Sequence, residues 1–238
     1  MKTQIKIVVT QLRQFLILYS IVLLGCLLIK LIYNRETIYF TVNSWHWDFT
    51  DQIAPYVTDL GEGLTVVIIS IIWALFNYRG AFLMATSWGV TSILAQILKP
   101  IFHAPRPRLY FKDQLSRIHF VKGVDILSHS SFPSGHTVTA FSAAVVAVYL
   151  CRNKNWSAVF LFLAILIGFS RMYLSQHFFE DVTGGSIIGV LVTVIWLGWL
   201  DSKKFIHSEG WSRGLLVSSS KYQVASKENL ESRARNQE

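Results

Sequence analysis

The chain has 238 residues, of which 52% are hydrophobic and only 15% charged, with a formal net charge of +8. Its apolar residues fall in long unbroken blocks, which excludes an ordinary soluble domain and makes the bilayer the expected solvent. Cys26 and Cys151 both lie inside apolar runs, so neither a disulfide framework nor a thiolate metal site is indicated.

In chain order, six segments approach the length a helix needs to cross hydrocarbon: 14–33, 61–78, 81–98, 134–151, 156–173 and 182–200. Only helices and closed barrels satisfy the backbone there, and period-two alternation is absent. The expected fold is therefore all-α, a six-transmembrane-helix bundle with short cytoplasmic loops and an outer-side site. Lys2, Lys6 and Arg13 ahead of the first segment resemble a signal peptide, and Leu23-Leu24-Gly25-Cys26 loosely resembles a lipoprotein cleavage box. The apolar run continues past Cys26 to Ile32, interrupted only by Lys30, so a retained helix is expected, with Lys30 reaching up to the interface.

Orientation follows from the loops. Lys2, Lys6 and Arg13, then Arg79, then Arg152 and Lys154, then Lys203 and Lys204 occupy alternate connections, which the positive-inside rule assigns to the cytoplasm. The first outer connection, 34–60, carries Glu36, Asp48, Asp51 and Asp59 against Arg35, with Trp45 and Trp47 as interface anchors. The next outer connection breaks the rule. Between 99 and 133 it holds Lys99, Arg106, Arg108, Lys112, Arg117 and Lys122 against Asp113 and Asp125, which predicts an anionic ligand held outside the bilayer. Binding of anionic headgroups is the plainer alternative. No nucleic-acid partner is implied. Residues 1–200 are expected to form the membrane domain, and 201–238, polar and mixed in charge, a disordered cytoplasmic tail.

Three short stretches carry the chemistry. In Ser131-Phe132-Pro133-Ser134-Gly135-His136-Thr137 a polar loop turns into an apolar helix, with Ser134 as the N-cap. Gly135 lets the backbone approach a ligand, and the helix N-terminus offers amide donors to an anion. Pro100 stops the third segment just after Lys99, and Arg106 sits between Pro105 and Pro107, its backbone held extended. The fifth segment ends in Ser170-Arg171, followed by His177 and Asp181, which share a face at helical spacing. A carboxylate bonded to one imidazole nitrogen leaves the other aimed outward as a nucleophile. Glu180 points elsewhere and is read as solvated. Taken singly, these are also the features of a cap, a snorkelling lysine, a loop arginine and a His–Asp pair capping a helix. Under the six-helix topology, however, Lys99, Arg106, Ser134, Gly135, His136, Arg171, His177 and Asp181 all fall at one membrane level, although three separate connections supply them.

Lys99 with Arg106-Pro107, then Pro133-Ser134-Gly135-His136, then Ser170-Arg171 with His177 and Asp181, resemble in order and spacing the three-part signature of the type 2 phosphatidic acid phosphatase superfamily of membrane lipid phosphatases. The resemblance implies that Lys99, Arg106 and Arg171 clamp the phosphate oxygens together with the Ser134 hydroxyl and the amides of Gly135 and His136. It implies that His177 attacks phosphorus to form a phosphohistidine, that Asp181 holds its ring, and that His136 protonates the leaving oxygen and then activates water. No cofactor and no metal are expected: Asp125, His129 and Asp181 lack ligand spacing, and the neighbouring cations oppose a divalent ion.

The partner implied is a membrane lipid phosphate presented by the bilayer, of the undecaprenyl pyrophosphate, phosphatidylglycerol phosphate or phosphatidic acid type, in a bacterial inner membrane. Both termini would be cytoplasmic and the site periplasmic or extracellular, with the oligomeric state left open. A lipid A phosphatase or a lipid phosphotransferase would use the same machinery, and a non-catalytic anionic-lipid binder or transporter is the rival outside enzymes. His103, Arg108 and Glu62 are candidate secondary contacts. Tyr110, Phe111, Ile118, Phe120 and Val121 suggest an interfacial flap over the site.

Overall fold

The computed structural model describes residues 2–216 and contains no strand among them. Two N-terminal helices, α1 (Lys2–Gln11) and α2 (Arg13–Ile32), run on almost without a break at Leu12. They are followed by α3 (Arg35–Asn43), whose Asn34 cap accepts from the Thr37 amide, and by α4 (Asp48–Asp59). Then come α5 (Gly63–Phe76), α6 (Tyr78–Phe102) and the short α7 (Pro107–Tyr110). The last three are α8 (Gly135–Leu150), α9 (Trp156–Tyr173) and α10 (Phe179–Leu200).

Four of the described helices, α2, α6, α9 and α10, are long and apolar enough to cross a membrane, and α4 and α5 together make a fifth candidate bent by 57°. The second expected segment thus divides its task. With 14 residues, α5 reaches only about 21 Å, and α4 completes the path from the connection at 34–60. Exposed side chains along α2 and α5, such as Ile21, Leu24, Leu31, Leu64 and Ile71, leave an apolar surface that water would not tolerate and hydrocarbon does.

Helix α8 is the hub. It packs against α6, α9 and α10, and nearly all its side chains are buried, Val138, Val145 and Val148 completely. Such a helix can be apolar all round because protein rather than lipid surrounds it. Gly185 and Gly189 of α10 bring the two backbones together. A Cβ on Gly185 would lie 2.9 Å from the Ser134 carbonyl oxygen, and one on Gly189 would lie 2.7 Å from that of Val138.

At the far end, Arg79 of α6 and Tyr149 of α8 both donate to Asp201 just past α10, at 2.8 and 2.9 Å. Lys154 closes the C-terminus of α8 by donating to the carbonyls of Val148 and Cys151. Residues 201–216 fold back onto α6: Trp211 and Phe205 pack edge-on against Phe82, and the Tyr78 amide donates to the Arg213 carbonyl. The rest of the expected tail, 217–238, lies outside the described residues.

Candidate active site

The C-terminal ends of α6 and α9 meet the N-terminal ends of α8 and α10, and the turn between α4 and α5 closes the remaining side. This end of the bundle gathers all eight residues of the signature. Lys99, in the last turn of α6, points its Nζ to within 4.0 Å of where a Cβ on Gly135 would sit. Ser134 is fully buried at the start of α8, its amide donating to the Asp181 carbonyl at 3.1 Å. The expected cap does not form: the Ser134 hydroxyl instead accepts from Thr137 Oγ1 at 2.9 Å, and no side chain caps α8. The first-turn amides therefore stay uncapped at the positive end of the helix dipole, the arrangement that favours an anion.

The loop after α9 turns sharply. Ser175 takes a left-handed conformation at φ 55°, and the amides of Gln176 and His177 both donate to the Arg171 carbonyl. An unfavourable backbone of this kind persists because neighbours hold it. Here Tyr39 and Asn43 of α3 both donate to Ser175 Oγ, at 2.9 and 3.3 Å.

Arg171 donates through Nη1 to Thr58 Oγ1 at 2.7 Å, while its buried Nε has no protein partner. Arg106 is almost fully buried and donates through Nε to the His129 carbonyl and through Nη1 to Gln176. Nε and Nη1 of Arg106 are thus both engaged by protein, so neither of the guanidinium's two forks, Nε with Nη2 or Nη1 with Nη2, is wholly free.

His177 is 1% exposed, and its Nδ1 lies 3.6 Å from Asp181 Oδ2, too long for a hydrogen bond. That carboxylate oxygen is satisfied elsewhere, accepting from Ser131 Oγ and from the Phe178 amide. Burial pushes the His177 imidazole down to about 4; Asp181 opposes this, while Arg106 and Arg171 add to it. The ring is therefore neutral at physiological pH, with a lone pair to offer.

His136, in the first turn of α8, faces a cavity of about 380 Å³ bounded by Glu62, Trp88, Gln96, Lys99 and Gly135. Its Nε2 lies 3.9 Å from Glu62 Oε1, and Lys99, Arg106, Arg171 and His177 are all near enough to act on its charge.

Of the three secondary contacts, only Glu62 reaches the site. His103 ends α6 in a left-handed conformation, and Arg108 donates to the Ile126 carbonyl. Glu180 is not solvated as expected: it pairs with Arg35 and, at 3.5 Å, with Lys30. The stretch expected as a flap is tied down. His119 exchanges two hydrogen bonds with the Asn43 side chain, Phe111 and Ile118 pack against Tyr39 and Phe178, and Gln176 donates to the Asp125 carbonyl. Among the described residues, no three His, Cys, Asp or Glu side chains gather at metal-binding spacing.

Four residues that sequence reasoning left without a role support this geometry: Thr58, Ser131, Asn43 and Gln176. Ser131 and Gln176 lie within or beside the signature stretches, at positions its pattern leaves free. Thr58 and Asn43 carry no motif, and only the packing of α3 and α4 brings them here.

The PAP2 superfamily model matches residues 80–205, more than half of the chain and all eight of these positions. The chain belongs to the PAP2 superfamily. Phosphatidylglycerophosphatase B of Bacillus subtilis (strain 168) is 30% identical over 156 residues, which cover 60% of this PAP2 chain and 71% of that protein. Undecaprenyl-diphosphatase BcrC of the same organism is 23% identical over 161 residues, 66% of this chain and 79% of its own length. The crystal structure of a PAP2 type phosphatidylglycerolphosphate phosphatase from Bacillus subtilis superposes with a TM-score of 0.58 at 25% identity, covering 83% of this chain and 98% of that one. The protein is thus a multi-pass membrane phosphatase of the PAP2 superfamily.

Proposed function

We propose that this PAP2 protein hydrolyses the phosphate monoester or pyrophosphate of a membrane lipid through a phosphohistidine on His177, without a metal. The reading rests above all on the grouping of the half-buried His136 and Lys99 with the buried His177, Arg106 and Arg171 in one cluster. The names of the relatives add phosphatidylglycerol phosphate and undecaprenyl pyrophosphate as the substrate classes to try first.

In the first step His177 Nε2 attacks phosphorus, with the Nδ1 proton directed at Asp181, and the bond from phosphorus to the lipid oxygen breaks. His136 delivers a proton to that oxygen. In the second step His136 takes a proton from water, whose oxygen attacks the phosphohistidine and releases inorganic phosphate. Lys99, Arg106, Arg171 and the uncapped amides of α8 stabilise charge on the equatorial oxygens, so their loss should lower turnover more than affinity.

The cavity beside His136 reaches Gly63 at the start of α5 and Trp88 and Gln96 on α6, which supports sideways access for a lipid whose chains stay in hydrocarbon. Six crossings follow if α8 and the bent α4–α5 pair each count as one. The cations Arg79, Arg152, Lys154, Lys203 and Lys204 then face the cytoplasm with the C-terminal tail, and the active site faces outward.

The test is phosphate release by purified protein across micellar lipid monophosphates and pyrophosphates, with and without chelator. Chelator-resistant release that disappears in His177→Ala is the expected result. Chelator-sensitive release, or full activity in that variant, would refute the reading.

A further inference from the structure

Arg106 and the loop after α9 are joined by a residue that the three-part signature leaves unspecified. Gln176 is 2% exposed and has every polar atom engaged: Oε1 accepts from Arg106 Nη1 at 2.9 Å and Nε2 donates to the Asp125 carbonyl at 2.7 Å. Its own carbonyl accepts from Arg106 Nη1 at 3.2 Å, and its amide donates to the Arg171 carbonyl. One buried residue therefore bonds the Arg106 guanidinium, the Arg171 main chain and the outer loop, and it directly precedes His177 in the chain.

The donors of Arg106 can be counted. Nε is committed to the His129 carbonyl at 2.9 Å, and both protons of Nη1 have acceptors on Gln176. Among the described residues Nη2 alone of the three nitrogens has no protein partner. A free arginine side chain would have several edges with which to meet a phosphate and considerable rotamer entropy to lose in doing so. Here that entropy is already spent, and one edge is left.

We infer that Gln176 is a positioning residue, which holds the Arg106 guanidinium so that only its Nη2 edge is left for the transferred phosphoryl group. The inference rests on the proposed role of Arg106 in holding phosphate. Gln176 does not touch substrate; its effect passes through Arg106, and this distinguishes it from a residue that merely packs.

A double-mutant cycle tests this. The wild-type protein, Gln176→Leu, Arg106→Ala and the double variant are compared for phosphate release and for inhibition by inorganic phosphate, with thermal melting in detergent as the control for folding. Gln176→Leu should lower kcat/KM about tenfold, the scale set by one lost buried hydrogen bond, and weaken phosphate inhibition by a similar factor. In the Arg106→Ala background the same change should cost less than about twofold, because the group it positions is gone.

Gln176→Glu serves where the leucine variant does not fold. It keeps an acceptor for Nη1 but places a carboxylate in competition with phosphate, so inhibition by inorganic phosphate should weaken several-fold. Losses that multiply across the cycle, or unchanged phosphate inhibition in Gln176→Glu, would overturn the inference. Full activity in Arg106→Ala would instead overturn the reading on which it rests.

Discussion

His177 Nδ1 stands 3.6 Å from Asp181 Oδ2, close enough to attract but not to bond, because that oxygen already accepts from Ser131 Oγ and the Phe178 amide. Asp181 therefore does two jobs. It closes the N-terminal turn of α10 and, in the proposed mechanism, supplies the charge that the attacking imidazole needs once it becomes cationic. The ring has only to move by a fraction of an ångström as positive charge develops on it, and hydrogen bonds of this kind commonly tighten only when substrate is bound.

Asp181→Asn removes that charge while keeping the shape. Turnover should fall by about 10²-fold or more, with little change in KM, since the loss belongs to the transition state. Ser131→Ala, which frees the shared oxygen, should cost less than about tenfold. Steady-state kinetics on one lipid phosphate checks both, and equal losses would contradict the division of roles.

Thr58 supplies the side-chain hydrogen bond given to Arg171, at 2.7 Å from a helix with no signature residue. Thr58→Val keeps the volume and deletes the acceptor. Turnover should drop about tenfold, the value of one buried hydrogen bond to a charged group, and Thr58→Ser should restore most of it. Failure of the serine variant to rescue would mean that packing rather than the hydroxyl matters.

Much of this could be read before any coordinates. Segments 14–33, 156–173 and 182–200 are α2, α9 and α10 to within a few residues, because an uninterrupted apolar block has one stable form in a bilayer. The eight signature residues do meet at one end of the bundle. What stayed hidden was the support. Gly61, Glu62 and Thr58 reach the site only because α4 bends into α5, and nothing in the composition of 34–60 marks that connection as two helices. The expected Ser134 cap is another instance: Thr137, one turn on, competes for the hydroxyl, and the choice between partners is made by packing around α8.

The contact of α8 with α10 transmits helix packing to the site. Alanine at Gly185 would bring a methyl group to 2.9 Å from the Ser134 carbonyl, which belongs to the proposed anion-binding turn. Stability should fall by about 1–3 kcal/mol and turnover by at least about tenfold. Gly25→Ala, where nothing lies within 4 Å, should change neither. Melting in detergent and phosphate release, run on both variants, decide it.

The buried His177 also sets a pH dependence. Its imidazole titrates near 4 when folded, against an ordinary value of 6.5, so between these values the unfolded chain binds the proton that the folded one refuses. The stability cost of His177 therefore grows as pH falls from 6.5 toward 4, by about 3 kcal/mol over the window. His177→Gln, which cannot take up a proton, should melt higher relative to wild type at pH 4.5 than at pH 7.5. A difference in melting temperature independent of pH would contradict a neutral buried ring.

The most direct test is to quench the reaction within milliseconds, using a lipid phosphate labelled with ³²P at the transferable phosphoryl group. Wild-type protein should carry an acid-labile, base-stable label on His177, absent from His177→Ala and formed more slowly when His136, the proposed proton donor to the leaving oxygen, is replaced by Ala. Product formation by the wild type with no labelled protein at any time, or undiminished labelling of His177→Ala, would contradict it.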